Sequence, residues 1–260
     1  MALILLTNDD GIEAEGLKLL EQCVKDLAEC LVVAPDQERS AVSHGLTIRK
    51  PLSVAKVDPN HFTLDGTPAD CVIYALTHLV PKVPDLVISG INHGANLGDD
   101  IMYSGTVAAA REASRHGVSS LAISQAYDQK PVRFRGEDFI RKLVQSLLNE
   151  PPRQPICLNV NIPVGKIKGV KITRQGCAEH FPHFNYLAGS EAVDAATPPE
   201  DPPKPEWVLD FRAVVDRYIS ITPLKRDQTD YTTAQSIAET IPKLYSPSLL
   251  SGIRLIGFKN

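Results

Sequence analysis

Four consecutive apolar residues, Leu3-Ile4-Leu5-Leu6, run through Thr7 and stop at Asn8-Asp9-Asp10-Gly11. An apolar run without polar alternation reads as a strand buried on both faces, the kind found in a parallel sheet flanked by helices. The polar tip then falls at the strand's carboxyl end, the edge over which ligands bind in open α/β sheets. Two adjacent carboxylates there repel unless something positive lies beside them, and a divalent cation held by oxygen ligands is one resolution. Asn-Asp and Asp-Gly are also ordinary turn formers, so the tip alone leaves a plain turn open.

The pattern repeats downstream. Leu17, Leu20, Val24 and Leu27 recur at helical spacing, and Leu31-Val32-Val33-Ala34 is a second buried strand, stopped by Pro35-Asp36. His61–Asp65 reads as a strand and Thr67-Pro68 as a helix start, with Cys71, Tyr74, Ala75 and Leu79 as its buried stripe. Strands are expected at 85–89 and 121–124, and helices from Tyr103-Ser104-Gly105-Thr106 to His116-Gly117 and through Phe139, Leu143, Val144, Leu147 and Leu148. This alternation predicts an α/β chain: a Rossmann-like, doubly wound, mostly parallel sheet over residues 1–150. After Pro151-Pro152 the pattern changes to strands at 156–163, 169–174, 207–211 and 217–224, with a final helix around Ala234 to Leu244. Residues 151–260 are therefore expected to complete the body. The Pro-rich stretch around 175–216, with Phe181, Phe184, Tyr186 and Trp207, reads as a protruding β-rich arm for subunit contact, with a flexible loop as the alternative.

Composition excludes several classes. A net charge of −4 without any basic run offers no footprint for a nucleic acid polymer or an anionic membrane. The apolar start meets Asp9 too soon for a signal peptide, and no later run would span a bilayer. The cysteines Cys23, Cys30, Cys71, Cys157 and Cys177 are scattered without zinc-ligand spacing, as expected of reduced core thiols in a cytoplasmic protein.

Three polar loops, after Leu6, Ala34 and Ile88, leave strands at one edge of such a sheet. They offer Asp9, Asp10, Ser40 and Asn92, an oxygen-only set that suits Mg²⁺ or Mn²⁺, with Ca²⁺ able to substitute, better than Zn²⁺. The helix start at Ser104, Gly105 and Thr106 follows the last of these loops, and free N–H groups there can hold a phosphate beside the metal. Metal plus phosphate cradle points to phosphoryl chemistry.

Asn8-Asp9-Asp10-Gly11, Pro35-Asp36 with Arg39-Ser40, Gly66-Thr67-Pro68-Ala69-Asp70-Cys71, Ser89-Gly90-Ile91-Asn92 with Gly94-Ala95-Asn96-Leu97-Gly98, and Tyr103-Ser104-Gly105-Thr106-Val107 resemble, in order, the motifs of the SurE family. The match is dense over residues 3 to 125 and thinner through Asn159-Val160-Asn161-Ile162-Pro163, Thr173-Arg174-Gln175-Gly176 and Tyr218–Leu224. The resemblance implies a metal-dependent 5'-nucleotidase acting on nucleoside monophosphates, with 3'-nucleotides and short polyphosphate as further substrates, and a homodimer or homotetramer built through the carboxyl-terminal region. It carries the metal ligands onto Asp9, Asp10, Ser40 and Asn92, and the substrate-phosphate side onto Asn96 and Ser104-Gly105-Thr106. His44 and His93 stand where this chain departs from many relatives.

The expected chemistry is attack of metal-activated water on the phosphate ester, Asp9 accepting the proton and Asn8, Asn96 and the Gly105 and Thr106 amides stabilising the oxygens. A covalent aspartyl phosphate on Asp9 or Asp10 is the rival route. A nucleotide-binding regulatory protein without turnover is the rival class, although phosphate binding alone calls for positive charge and amides rather than paired carboxylates. Gly94-x-x-x-Gly98 is not a dinucleotide fingerprint.

Overall fold

The computed structural model describes residues 1–126, 134–176 and 207–244. Strand β1 (Leu3–Thr7) is followed by α1 (Glu15–Val24), β2 (Glu29–Pro35), β3 (Val54–Asp58), β4 (His61–Leu64), α2 (Pro68–Tyr74), β5 (Leu86–His93), α3 (Gly105–Arg115), β6 (Ser120–Gln125) and α4 (Glu137–Asn149). Then come β7 (Cys157–Ile162), β8 (Gly169–Arg174), β9 (Val208–Leu209), α5 (Asp210–Val215), β10 (Tyr218–Pro223) and α6 (Tyr231–Leu244). The strands form a mixed, mostly parallel sheet in the order β3-β4-β2-β1-β5-β6-β7-β10-β8-β9, with β3/β4 and β7/β10 antiparallel.

Every residue of β1 is buried, as its unbroken apolar run requires. Alternation across the pleat sends Ile4 and Leu6 to one face, with Leu17, Leu20 and Val24 of α1 and Ile140 and Val144 of α4. Leu3 and Leu5 face the other way, onto Cys71 and Val72 of α2 and Ala109 and Ala113 of α3. Full burial of one such leucine contributes roughly 1.5–3 kcal/mol, so the two helix layers hold β1 as the sheet's central rod. The chain moves outward from β1 through β2 to β4 and β3, then returns to β5 on β1's other side. That reversal leaves a crevice between the carboxyl ends of β1 and β5.

Residues 157–174 and 218–223 join the same sheet, so the change of pattern after Pro151-Pro152 is no boundary within it. The chain divides into two compact units, Met1–Leu224 and Lys225–Asn260, the second represented among the described residues by α6. Most of the stretch read as an arm, with Phe181, Phe184 and Tyr186, lies outside the described residues.

Local readings differ in five places. The strand expected at 85–89 runs on as β5 to His93, so Asn92, read as a loop residue, lies in the strand and pairs with Ser124 of β6. The strand expected at 207–211 shrinks to Val208–Leu209, because Asp210 turns its carboxylate onto the Gly176 and Phe211 amides and starts α5. Strand β3 was invisible because its outward residues carry no apolar alternation. The helix from Pro68 keeps α-geometry to Tyr74 and widens into a π-turn over Ala75–Leu79. Helix α1 ends at Val24, and Leu27 packs on the core from the turn beyond. The cysteines Cys23, Cys30, Cys71 and Cys157 are free, and Cys177 lies outside the described residues. No helix among the described residues is long and apolar enough to cross a membrane.

Candidate metal and phosphate site

The loops after β1 and β2 and the last residues of β5, which include Asn92, lie at the common carboxyl edge of three neighbouring strands in the order β2-β1-β5. Direct contacts draw the loops together. The Arg39 amide donates to the Asp9 carbonyl at 2.7 Å, and the Ile12 amide to the Pro35 carbonyl at 2.9 Å. The Asp10 carboxylate feels both His93, next to Asn92, and Glu38, next but one to Ser40. Asp10 therefore lies between the Ser40 loop and the end of β5.

Asp9 is buried, and its carboxylate accepts a short hydrogen bond from the Thr106 hydroxyl. Burial pushes the Asp9 carboxyl up to about 6, the Thr106 hydroxyl and amide pull the other way, and Asp10 adds to the rise. Burial also raises Asp10, with His93 opposing and Glu38 reinforcing. Asp10 Oδ2 is enclosed without a hydrogen-bond partner. A buried carboxylate oxygen left unsatisfied beside a second buried carboxylate is costly for the protein alone. A divalent cation removes both penalties, so the residues present fit such an ion. Among the described residues no three His, Cys, Asp or Glu side chains form a ligand group. Ser40, exposed on its loop, donates to Glu38 Oε1 at 2.6 Å and keeps its oxygen lone pairs. The Asn92 amide nitrogen donates to the Gly94 carbonyl at 2.9 Å, which turns its Oδ1 away from that bond. These are the residue types that complete an oxygen shell.

The other expected residues are placed less simply. Asn8 is not an open donor. It is buried, its Nδ2 donates to the Gly11 carbonyl at 2.8 Å and its Oδ1 accepts from the Gly11 amide, so it closes the turn that aims Asp9 and Asp10. Gly11 serves that turn at φ 99°, a conformation side chains resist. Asn96 is also buried, and its Nδ2 donates to Ser124 Oγ at 2.8 Å. Its backbone is gripped from β7: its amide donates to Asn161 Oδ1, and its carbonyl accepts from the Asn159 and Asn161 side chains.

Ser104 caps α3 by accepting from the Val107 amide at 3.1 Å. Thr106, expected on the phosphate side, is turned onto Asp9 and orients that carboxylate. Gly105 packs so closely that a β-carbon there would come within 2.9 Å of Asp9 Cβ. The positive end of α3 thus abuts the carboxylate pair, and an anion bound there would sit beside any ion that Asp9 and Asp10 hold.

Three supporting groups were missed in the sequence. Asn159 and Asn161 had a signal: asparagine is disfavoured in strands, and two in one buried strand ask for partners. Glu112 and Asp210 had none, each being a single acid in a short helical stretch.

The family model described as Survival protein SurE matches residues 4–181. A 5'-nucleotidase SurE from Pelotomaculum thermopropionicum is 41% identical over 257 residues, covering 93% of this chain and 94% of the relative. One from Nitratiruptor is 39% identical, covering 95% and 99%, and one from Vibrio cholerae 41%, covering 90% and 95%. Among solved structures, the SurE protein of Aquifex aeolicus aligns with a TM-score of 0.76 at 36% identity, over 92% of this chain and 99% of that one. Matched by the family model over residues 4–181 and by relatives along nearly its whole length, the chain belongs to the SurE family.

Proposed function

We propose that this chain is a divalent-metal-dependent phosphatase that hydrolyses nucleoside 5'-monophosphates to nucleoside and phosphate. The activity follows its relatives, several of which are named 5'-nucleotidases. The observation that carries the metal dependence is the orphaned Asp10 Oδ2 beside buried Asp9. Asp9, Asp10, Ser40 and Asn92 would hold the ion, Mg²⁺ or Mn²⁺ by the hardness of the donors. When bound, such an ion supplies Lewis acidity at the phosphoryl group and makes water easier to deprotonate.

The chain's own residues do the rest. Thr106 fixes the Asp9 carboxylate in one orientation. Asp9 is thereby suited to accept the proton of the attacking water. The Gly105 amide and the positive end of α3 favour the dianionic phosphate and the charge that builds on its oxygens. Asn8 acts through the turn it closes, and Asn96 through its bond to Ser124 of β6, each holding its loop in register.

The test is phosphate release from a panel of 5'- and 3'-mononucleotides and short polyphosphate, in Mg²⁺, Mn²⁺ and chelator, for the unaltered chain and for Asp10→Asn. Metal-dependent release that Asp10→Asn loses supports the reading. Nucleotide binding that survives in chelator, without release from any substrate, overturns it in favour of a regulatory binder. Size-exclusion chromatography with light scattering tests the accompanying expectation of a homodimer or homotetramer.

A further inference from the structure

From the way the loop after β2 is fastened, we infer that His44 and Glu112 are a positioning pair that holds Ser40 over the Asp9–Asp10 edge. The inference rests on the reading of Ser40 as a metal ligand. Glu112 is buried on α3, yet its carboxylate reaches His44 Nε2 at 2.8 Å, across 68 positions of chain. His44 lies four residues beyond Ser40 in the same loop. That loop is also held by the Arg39 amide to the Asp9 carbonyl, the Arg39 guanidinium to the Asp65 carbonyl at 3.2 Å, and the Ser43 amide to the Tyr103 carbonyl at 2.9 Å; beyond Ser40, His44 is the side chain that ties it to α3. Ala41 and Ser43 both sit at positive φ, 56° and 53°, a conformation that non-glycine residues keep only where the surroundings impose it. Between these anchors the Ser40 hydroxyl donates to Glu38, an exposed residue of the same loop, and that bond does not fix its position against the sheet.

Helix α3 makes the link rigid. Its first turn packs against Asp9 through Gly105 and Thr106, and Glu112 lies about 9 Å further along the axis at 1.5 Å per residue. One helix therefore sets Asp9 at its amino end and, through His44, the far side of the Ser40 loop. Arg115 also donates to Glu112 at 2.6 Å, and His116 Nε2 lies 3.0 Å from it, both from the same helical segment. His44 and Arg115 both favour the ionised carboxylate, and His44 alone of the three carries the contact to the loop. Removing a group that orients a ligand weakens metal binding by about 10–100-fold without touching the ion.

The experiment is a Mn²⁺ titration followed by electron paramagnetic resonance of the free ion, with no substrate, on the unaltered chain, His44→Ala, His44→Gln and Arg115→Gln. His44→Gln keeps an amide donor near the position of Nε2, and thermal unfolding in chelator checks that each variant is folded. The expected result is a midpoint raised at least tenfold in His44→Ala, largely restored in His44→Gln, and unchanged in Arg115→Gln. Equal midpoints in the unaltered chain and His44→Ala overturn the inference alone, as does an equal rise in Arg115→Gln. Absence of Mn²⁺ binding by the unaltered chain overturns the metal reading and the inference with it.

Discussion

Gly105 gives the sharpest test of how the site is built. A methyl group there would lie 2.9 Å from Asp9 Cβ, 3.0 Å from Asp9 Oδ2 and 3.2 Å from Pro68 Cγ. Carbon atoms rest about 3.5–4.0 Å apart, so in Gly105→Ala either Asp9 or the start of α3 must yield by about 0.5–1 Å. Asp9 is held on both sides, its carboxylate by Thr106 and its carbonyl by the Arg39 amide, and Pro68 opens a helix locked by a Thr67–Asp70 capping box. The substitution costs nothing at the backbone, because Gly105 is not among the residues at positive φ. Helix propensity returns up to about 1 kcal/mol, against about 1–3 kcal/mol for overpacking. Net stability therefore falls by up to about 3 kcal/mol, or about 6–12 °C in Tm for a unit of this size. Misplacing a catalytic group by about 1 Å is worth about 10²-fold in rate, roughly 2.7 kcal/mol of barrier. Phosphate release at saturating Mn²⁺, with thermal unfolding run in parallel, separates the two effects. A folded Gly105→Ala variant with unaltered kcat/KM would refute the claim that the close approach of α3 sets the reactive position of Asp9.

Further outcomes follow from other contacts. Asp210 accepts from the Gly98 amide through Oδ2 and from the Gly176 and Phe211 amides through Oδ1, so Asp210→Asn must point an NH₂ group at one of them. A stability loss of about 1–3 kcal/mol is expected in urea unfolding, and an unchanged midpoint would contradict the placement. Burial alone would raise the Glu112 carboxyl, but His44 and Arg115 outweigh it and bring it from 4.5 down to about 2. The lowered value means that Glu112 stabilises the fold above pH 4.5 and stops doing so as pH falls toward 2. Glu112→Gln should lower stability at pH 7 and flatten its decline between pH 4.5 and 2, read from urea midpoints across that range. Gly16→Ala would set a methyl 2.0 Å from the Ile91 carbonyl oxygen, backbone against backbone, and force α1 off β5. The expected loss exceeds about 4 kcal/mol, and a normal cooperative melt would show that α1 does not sit where the structure puts it.

Much of the fold and the polar edge was legible from residues close together in the chain. The unbroken run Leu3–Leu6 announces a doubly buried strand, the helical spacing after it announces the covering layer, and Asn8-Asp9-Asp10-Gly11 announces a turn at the strand's end. Ser104 announces a helix start, and it does cap α3. These signals are local, because period, turn chemistry and capping depend on neighbours a few residues away. What the polar groups point at was not legible. Asn8 closes its own turn, Thr106 serves Asp9, and β7 asparagines grip the backbone of Asn96 from 65 positions away. The Asp210 link to Gly98 spans 112 positions, and the short α5 replaces expected strand because that link exists. The amino-acid sequence by itself determined which segments are buried strands and helices and which residue types crowd one sheet edge. Only the tertiary structure decided which carboxylate oxygen is left without a partner and which helix sets the Ser40 loop. The reason is that a side chain's direction and desolvation depend on groups that the fold brings to it from elsewhere in the chain.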